Sequence, residues 1–150
     1  MTMEKMADER SSGGGRRGYL ADAGLPRWGT EHVEHYQLLP DGRTRLSDEY
    51  RDKLMALVAP VLDAHPIARG WLYGSVARGV YRLDSDIDLI VEEVPGRRLT
   101  FSDLDDMQGE LERALGVDVD VFTLNRRRAR AAFLRNFDRE RICIYERGAE

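Results

Sequence analysis

The stretch LYGSVARGVYRLDSDIDLIVEE, residues 72–93, joins an apolar run to a Gly74–Ser75 turn and then to two aspartates, Asp86 and Asp88. A second apolar run begins with them. Side chains alternate between the two faces of a β-strand, so Asp86 and Asp88 share one face. The apolar residues at 87, 89 and 91 share the other face and can pack against helices. The sequence therefore predicts a strand that carries two neighbouring carboxylates opposite its buried side.

The segment VDVDVFTL, residues 117–124, repeats this pattern with Asp118 and Asp120. Carboxylates held close together raise each other's pKa unless a cation neutralises them. Mg²⁺ is the cation that prefers such oxygen ligands, and three carboxylates from two strands can hold two ions for attack at phosphorus. Aspartates at strand ends also cap turns or face water, and this alternative stays open on the pattern alone.

Gly74 and Ser75 lie between a predicted strand and a predicted helix start. Backbone N–H groups at such a junction favour an anion, and the helix dipole adds to this. Glycine allows the close approach of a phosphate, and the serine hydroxyl supplies a further donor. An anion site ten residues before a carboxylate pair is typical of nucleotide binding.

The sequence GSVARGVYRLDSDIDL, residues 74–89, resembles the G-S-x(10)-D-x-D signature of the DNA polymerase beta-like nucleotidyltransferase superfamily. In particular it is similar to the minimal nucleotidyltransferases, the MNT family, in which G-S-x-A-R-G is followed by S-D-[IL]-D-L. The resemblance covers about residues 50–146, because RICIYE, residues 141–146, is similar to the closing strand of that family.

The resemblance implies transfer of a nucleotide from ATP to a hydroxyl, with two Mg²⁺ ions as cofactors. It also implies a role for six residues. They are Gly74, Ser75 and Arg78 at the nucleotide phosphates, and Asp86, Asp88 and Asp120 as catalytic residues and metal ligands. Asp118 lies on the same predicted face as Asp120 and leaves that last assignment open.

The alternation of predicted strands and helices indicates an α+β fold. With the resemblance, we expect a DNA polymerase beta-like nucleotidyltransferase fold, a mixed sheet with helices packed on one face. Residues 1–30, rich in Gly, Ser and Arg, are expected to form a flexible leader, and residues 31–150 a single nucleotidyltransferase domain.

The MNT resemblance implies an antitoxin that pairs with a HEPN-type ribonuclease toxin and adds AMP to one of its tyrosines. Two alternatives are an antitoxin that binds without catalysis and a transferase acting on a small molecule. The net charge of −4 argues against direct nucleic-acid binding. The sequence contains no apolar run long enough to span a bilayer and no secretory signal at its start, so we expect a cytoplasmic protein.

Seven arginines lie between Arg126 and Arg141. A helix is predicted from about residue 127 to 136, on which Arg127 and Arg130 would share a face with Leu134 and could bind a partner. A solvated helix face is the alternative. Cys143, the single cysteine, lies between two isoleucines and is expected to be a buried strand thiol.

Overall fold

The computed structural model describes residues 32–34, 36–82 and 86–148, with the backbone alone for 32–34, 81 and 82. The predicted leader, residues 1–30, lies outside the described residues. Twelve elements follow in chain order within these ranges. They are β1 (His32–Glu34), β2 (Tyr36–Leu38), β3 (Thr44–Leu46), α1 (Asp48–Asp63), β4 (Ile67–Tyr73), α2 (Ser75–Arg78), β5 (Val80–Arg82), β6 (Ile87–Glu93), α3 (Phe101–Leu115), β7 (Val119–Thr123), α4 (Ala131–Glu140) and β8 (Ile142–Glu146).

The central sheet has four strands in the order β7-β6-β4-β8. β4 is antiparallel to both β6 and β8, whereas β6 and β7 are parallel. The parallel pair requires a crossover, which α3 supplies between the two strands. The predicted α+β fold with a mixed sheet is confirmed. In the part of the chain that the structure describes, no helix is long and apolar enough to cross a membrane.

The main core lies between one face of the sheet and the helices α1 and α3. Each helix contributes three buried residues spaced four apart, which places them on one helical face. These are Leu54, Val58 and Leu62 of α1, and Met107, Leu111 and Leu115 of α3. They pack against Ile87, Leu89 and Val91 of β6, as the alternation predicts.

The termini of α3 show why it forms where it does. Thr100 and Asp103 form a capping box, in which each side chain accepts a hydrogen bond from the backbone N–H of the other residue. Gly116 ends the helix with φ of 75°, the left-handed conformation that glycine adopts most readily.

The short helix α4 differs from the sequence prediction in both position and face. It begins at Ala131, with Arg130 as an extended N-cap, so Arg127 and Arg130 do not share a helix face with Leu134. The side chain of Asn125 accepts a hydrogen bond from the N–H of Arg127 at 3.1 Å. Such a turn competes with helix formation and delays its start.

Phe137 anchors α4 against the sheet face opposite α1 and α3. It is fully buried, and its ring meets Trp71 edge to face with centroids 5.4 Å apart. Ile90 completes this second core, with Tyr73 and Phe133 at its border. The long helices thus lie on one face as expected, and α4 covers part of the other.

Two small sheets flank the central one. β2 and β3 form a hairpin around Asp41 and Gly42, and β1 pairs with β5. The prediction for Cys143 was wrong, since its side chain is exposed. β8 lies at the edge of the sheet, and Ile142 and Ile144 take the positions that face the main core.

Candidate active site

Asp88 and Asp120 lie side by side on neighbouring strands. In the parallel pairing of β6 with β7, Asp88 is the register partner of Asp120, and Ile90 is the partner of Phe122. Because register partners point to the same face, both carboxylates emerge opposite the main core. The two strands therefore bring together two of the three aspartates that the sequence indicates.

The electrostatics of this pair show that the carboxylates interact. Half burial raises the pKa of Asp88, and the charge of Asp120 raises it further. The charge of Asp120 therefore destabilises the ionised form of Asp88 in the absence of a cation. This is the physical situation that a bound divalent cation relieves.

Gly74 closes one side of the Asp88 carboxylate. It follows β4 directly, with φ of 83°, and a Cβ at this position would lie 2.9 Å from Oδ2 of Asp88. Both the backbone conformation and the space require glycine. The chain thus leaves a cradle beside Asp88 that any larger residue would fill.

Ser75 begins α2 immediately after Gly74 and is half-buried. Arg78 ends this helix, and its Nη1 lies 3.9 Å from Oε2 of Glu140 in α4. The structure therefore places Ser75 next to the cradle, whereas Arg78 faces a carboxylate on α4. A phosphate contact for either residue stays a prediction.

Asp86 and Asp118 precede β6 and β7, each two positions before a member of the pair. Asp118 is buried, whereas Asp120 is half-buried on the face of Asp88. This difference favours Asp120 over Asp118 as the residue that works with Asp88.

Within the described ranges, no three His, Cys, Asp or Glu side chains come together as a group that could hold a metal ion. Asp86 is thus not brought into a three-carboxylate cluster.

The carboxylate pair and the cradle still fit Mg²⁺ with a phosphate ligand. Two carboxylate oxygen donors and an open side suit an ion that keeps several of its positions for water and phosphate. At Gly74 the absence of a side chain leaves the Asp88 carboxylate uncovered on that side.

Two side chains of α3 were missed by the sequence analysis. Glu112 accepts a hydrogen bond from the N–H of Val119 at 3.1 Å, and Gln108 accepts one from Val121 at 3.4 Å. These side chains accept hydrogen bonds from backbone N–H groups on the outer edge of β7, the strand that carries Asp120. No sequence signal could have found them, because the contact depends on where the helix crosses the strand.

Comparison with known proteins agrees with this arrangement. The model of the family described as polymerase beta, nucleotidyltransferase matches residues 58–150. A relative from Methanocaldococcus jannaschii that carries the name of a protein adenylyltransferase is 41% identical over 68 residues, which are 45% of this chain and 71% of the relative.

Among solved structures, a chain of a toxin–antitoxin crystal structure with AMP-PNP superposes with a TM-score of 0.51 and 22% identity, over 63% of this chain and 74% of that chain. A chain from the complex of tri-AMPylated Shewanella oneidensis HEPN toxin with MNT antitoxin gives a TM-score of 0.48 and 19% identity, over 64% and 72%. The first of these likenesses shows the fold.

The chain belongs to the polymerase beta nucleotidyltransferase family. It is a nucleotidyltransferase similar to protein adenylyltransferases.

Proposed function

We propose that this protein transfers AMP from ATP to a tyrosine hydroxyl of a HEPN-type toxin in the cytoplasm and so acts as its antitoxin. The observation that carries the proposal is the register of Asp88 with Asp120, beside the cradle at Gly74. Paired carboxylates next to a glycine turn at the start of a helix are suited to phosphoryl chemistry.

The order of the groups across the sheet supports the following roles. Gly74 ends β4, Asp88 lies on the central strand β6, and Asp120 lies on the edge strand β7. Gly74 and Ser75 bind the phosphates at the β4 side, and Arg78 adds a cation at the end of α2. Asp88 and Asp120, with Asp86 just before β6, would hold two Mg²⁺ ions, which would neutralise the phosphate charge.

The reaction is an in-line displacement at phosphorus. The tyrosine oxygen forms a bond to the α-phosphorus, the bond from that phosphorus to the bridging oxygen breaks, and pyrophosphate leaves. Asp120 faces the attacking hydroxyl and accepts its proton. Positioning of the two reactants supplies most of the rate enhancement.

Two similarities support ATP as the nucleotide donor and a protein as the acceptor. One is the similarity to the relative named as a protein adenylyltransferase, and the other is the MNT signature at residues 74–89. The solved neighbour with AMP-PNP supports a nucleotide at this fold.

The test is transfer of label from ATP labelled at the α-phosphate to a purified HEPN-type toxin, in the presence of Mg²⁺. We expect label on a toxin tyrosine with the wild type, and none with Asp88→Asn. Asp105→Asn is the matched control, because Asp105 is exposed on α3. Toxin binding without label would support the antitoxin that only binds. Label on a small molecule would contradict the protein acceptor.

A further inference from the structure

Two exposed phenylalanines lie near the end of β7. Phe101 is 91% exposed and Phe122 is 53% exposed. A groove of about 730 Å³ borders Phe101, and a hollow of about 250 Å³ borders Phe122. The two share four lining residues, so the phenylalanines belong to one continuous surface. We call it the β7-end surface: Phe101, Phe122, and the shared residues Thr123, Leu124, Asn125 and Arg128, with Arg127 at the rim.

This surface begins next to the carboxylate pair. Phe122 lies two residues beyond Asp120 on the same face of β7, a distance of about 7 Å along the strand. Ile90, the register partner of Phe122, forms the floor of the hollow. Phe133 of α4 forms its opposite wall. The hollow therefore begins about two residues along β7 from Asp120.

The charge of the surface is positive and uncompensated at two positions. Among the described residues, Arg126 pairs with Asp138 at 3.0 Å, and Arg141 pairs with the same carboxylate at 3.2 Å. Arg127 and Arg128 form no ion pair within the described residues. Glu92 and Glu93 line the deeper part of the groove. Glu93 accepts a hydrogen bond from the N–H of Leu99. The hydrogen bond to Asp138 raises the pKa of the Arg126 guanidinium, and the charge of Glu92 adds to this.

The side from which the acceptor approaches the nucleotide phosphates indicates which molecule binds the β7-end surface. In-line transfer requires the acceptor to approach opposite the leaving pyrophosphate. With the phosphates at Gly74 on the β4 side, the acceptor must come from the β7 side, where this surface lies. Exposed aromatic residues beside arginines are the composition of protein-binding hot spots.

We propose that the β7-end surface binds an acidic segment of the acceptor protein and places its hydroxyl at Asp120. Phe122 and the hollow take an apolar or aromatic side chain of that segment, and Arg127 and Arg128 pair with its carboxylates. This inference rests on the proposed function for the direction of approach.

The test uses a fluorescein-labelled copolymer of glutamate and tyrosine as the probe, with fluorescence anisotropy as the readout. The wild type should bind it and should bind a lysine–tyrosine copolymer far more weakly. Arg127→Glu with Arg128→Glu should weaken binding by about tenfold or more, and Phe122→Ser should weaken it several-fold. Added salt should reduce the wild-type affinity.

Two control variants make the same chemical changes elsewhere. Arg113→Glu reverses an exposed charge on α3, and Leu38→Ser removes an exposed apolar side chain on β2. Both should bind the copolymer like the wild type. Equal weakening by the controls, or unchanged binding by the double arginine variant, would overturn the proposal. Tighter binding of a single-stranded RNA oligonucleotide at the same arginines would assign the surface to nucleic acid instead and would also overturn it.

A separate titration with a fluorescent ATP analogue distinguishes this inference from the proposed function. The double arginine variant should bind the analogue like the wild type. Loss of nucleotide binding would place these arginines in the nucleotide site and contradict the docking role. If no variant transfers label to any protein but copolymer binding still depends on Arg127 and Arg128, the transferase proposal fails and the docking surface stands.

Discussion

The α-carbon of Gly74 faces the Asp88 carboxylate so closely that a Cβ would lie 2.9 Å from its Oδ2. This relationship links the turn after β4 to the carboxylate pair on β6 and β7. Residue 74 must be glycine for two reasons, the positive φ and the lack of space for a Cβ. A pair of variants can distinguish them.

Gly74→Ala should abolish transfer and destabilise the fold. The positive φ costs of the order of 1–2 kcal/mol in alanine, and the displaced Asp88 carboxylate adds to this. Gly42→Ala is the matched control, because Gly42 has φ of 86° and nothing within 4 Å of its Cβ position. Urea unfolding of both variants measures the difference. A Gly74→Ala protein that loses no more stability than Gly42→Ala and still transfers AMP would show that the close approach is unimportant.

Asp88→Asn should raise stability in a chelator at neutral pH. The pKa of Asp88 is raised in the folded protein above its usual value of 3.8. The folded state therefore binds the proton more tightly than the unfolded state, and stability falls as pH rises through the folded pKa. Asp88→Asn does not lose stability in this way. Its free energy of unfolding should therefore exceed that of the wild type at pH 7, and the difference should disappear near pH 3. Thermal unfolding of both proteins across this range is the measurement, and an advantage that grew toward acid pH would contradict the assignment.

Glu112→Ala should weaken the edge of β7. The N–H of Val119, a buried residue, loses its acceptor, at a cost of about 1–3 kcal/mol. Transfer should also fall, because β7 carries Asp120. Glu112→Gln keeps an oxygen acceptor at the same length and should recover most of both properties. If glutamine were as damaging as alanine in urea unfolding and in label transfer, the hydrogen bond would not be the cause.

The sequence predicted the elements that position the site better than those that surround it. The alternation around Asp86 and Asp88 predicted β6, and its residues at 87, 89 and 91 face the main core as expected. A strand was also predicted before Gly74 and a helix start after it, and β4 and α2 lie there. Such features depend on residues close in the chain.

Features that depend on distant contacts were not predictable in the same way. The start of α4 at Ala131 follows from the turn at Asn125, and its face follows from the burial of Phe137 beneath Trp71. The choice of Asp120 as the partner of Asp88 came from the family resemblance, because the two residues lie 32 positions apart in the chain and strand pairing leaves no local signal. The three-residue strands β1 and β5 pair with each other, and the sequence analysis did not predict them.

The measurement that tests the central claim most directly is the Mg²⁺ dependence of ATP binding by the wild type, Asp88→Asn and Asp120→Asn. Mg²⁺ should strengthen ATP binding to the wild type by about tenfold or more, because Asp88 and Asp120 would hold a cation that neutralises the phosphate charge. Asp88→Asn and Asp120→Asn should each largely lose the effect of Mg²⁺ on ATP binding. The control Asp105→Asn should show the same effect as the wild type. An undiminished Mg²⁺ effect in both Asp88→Asn and Asp120→Asn would contradict the account.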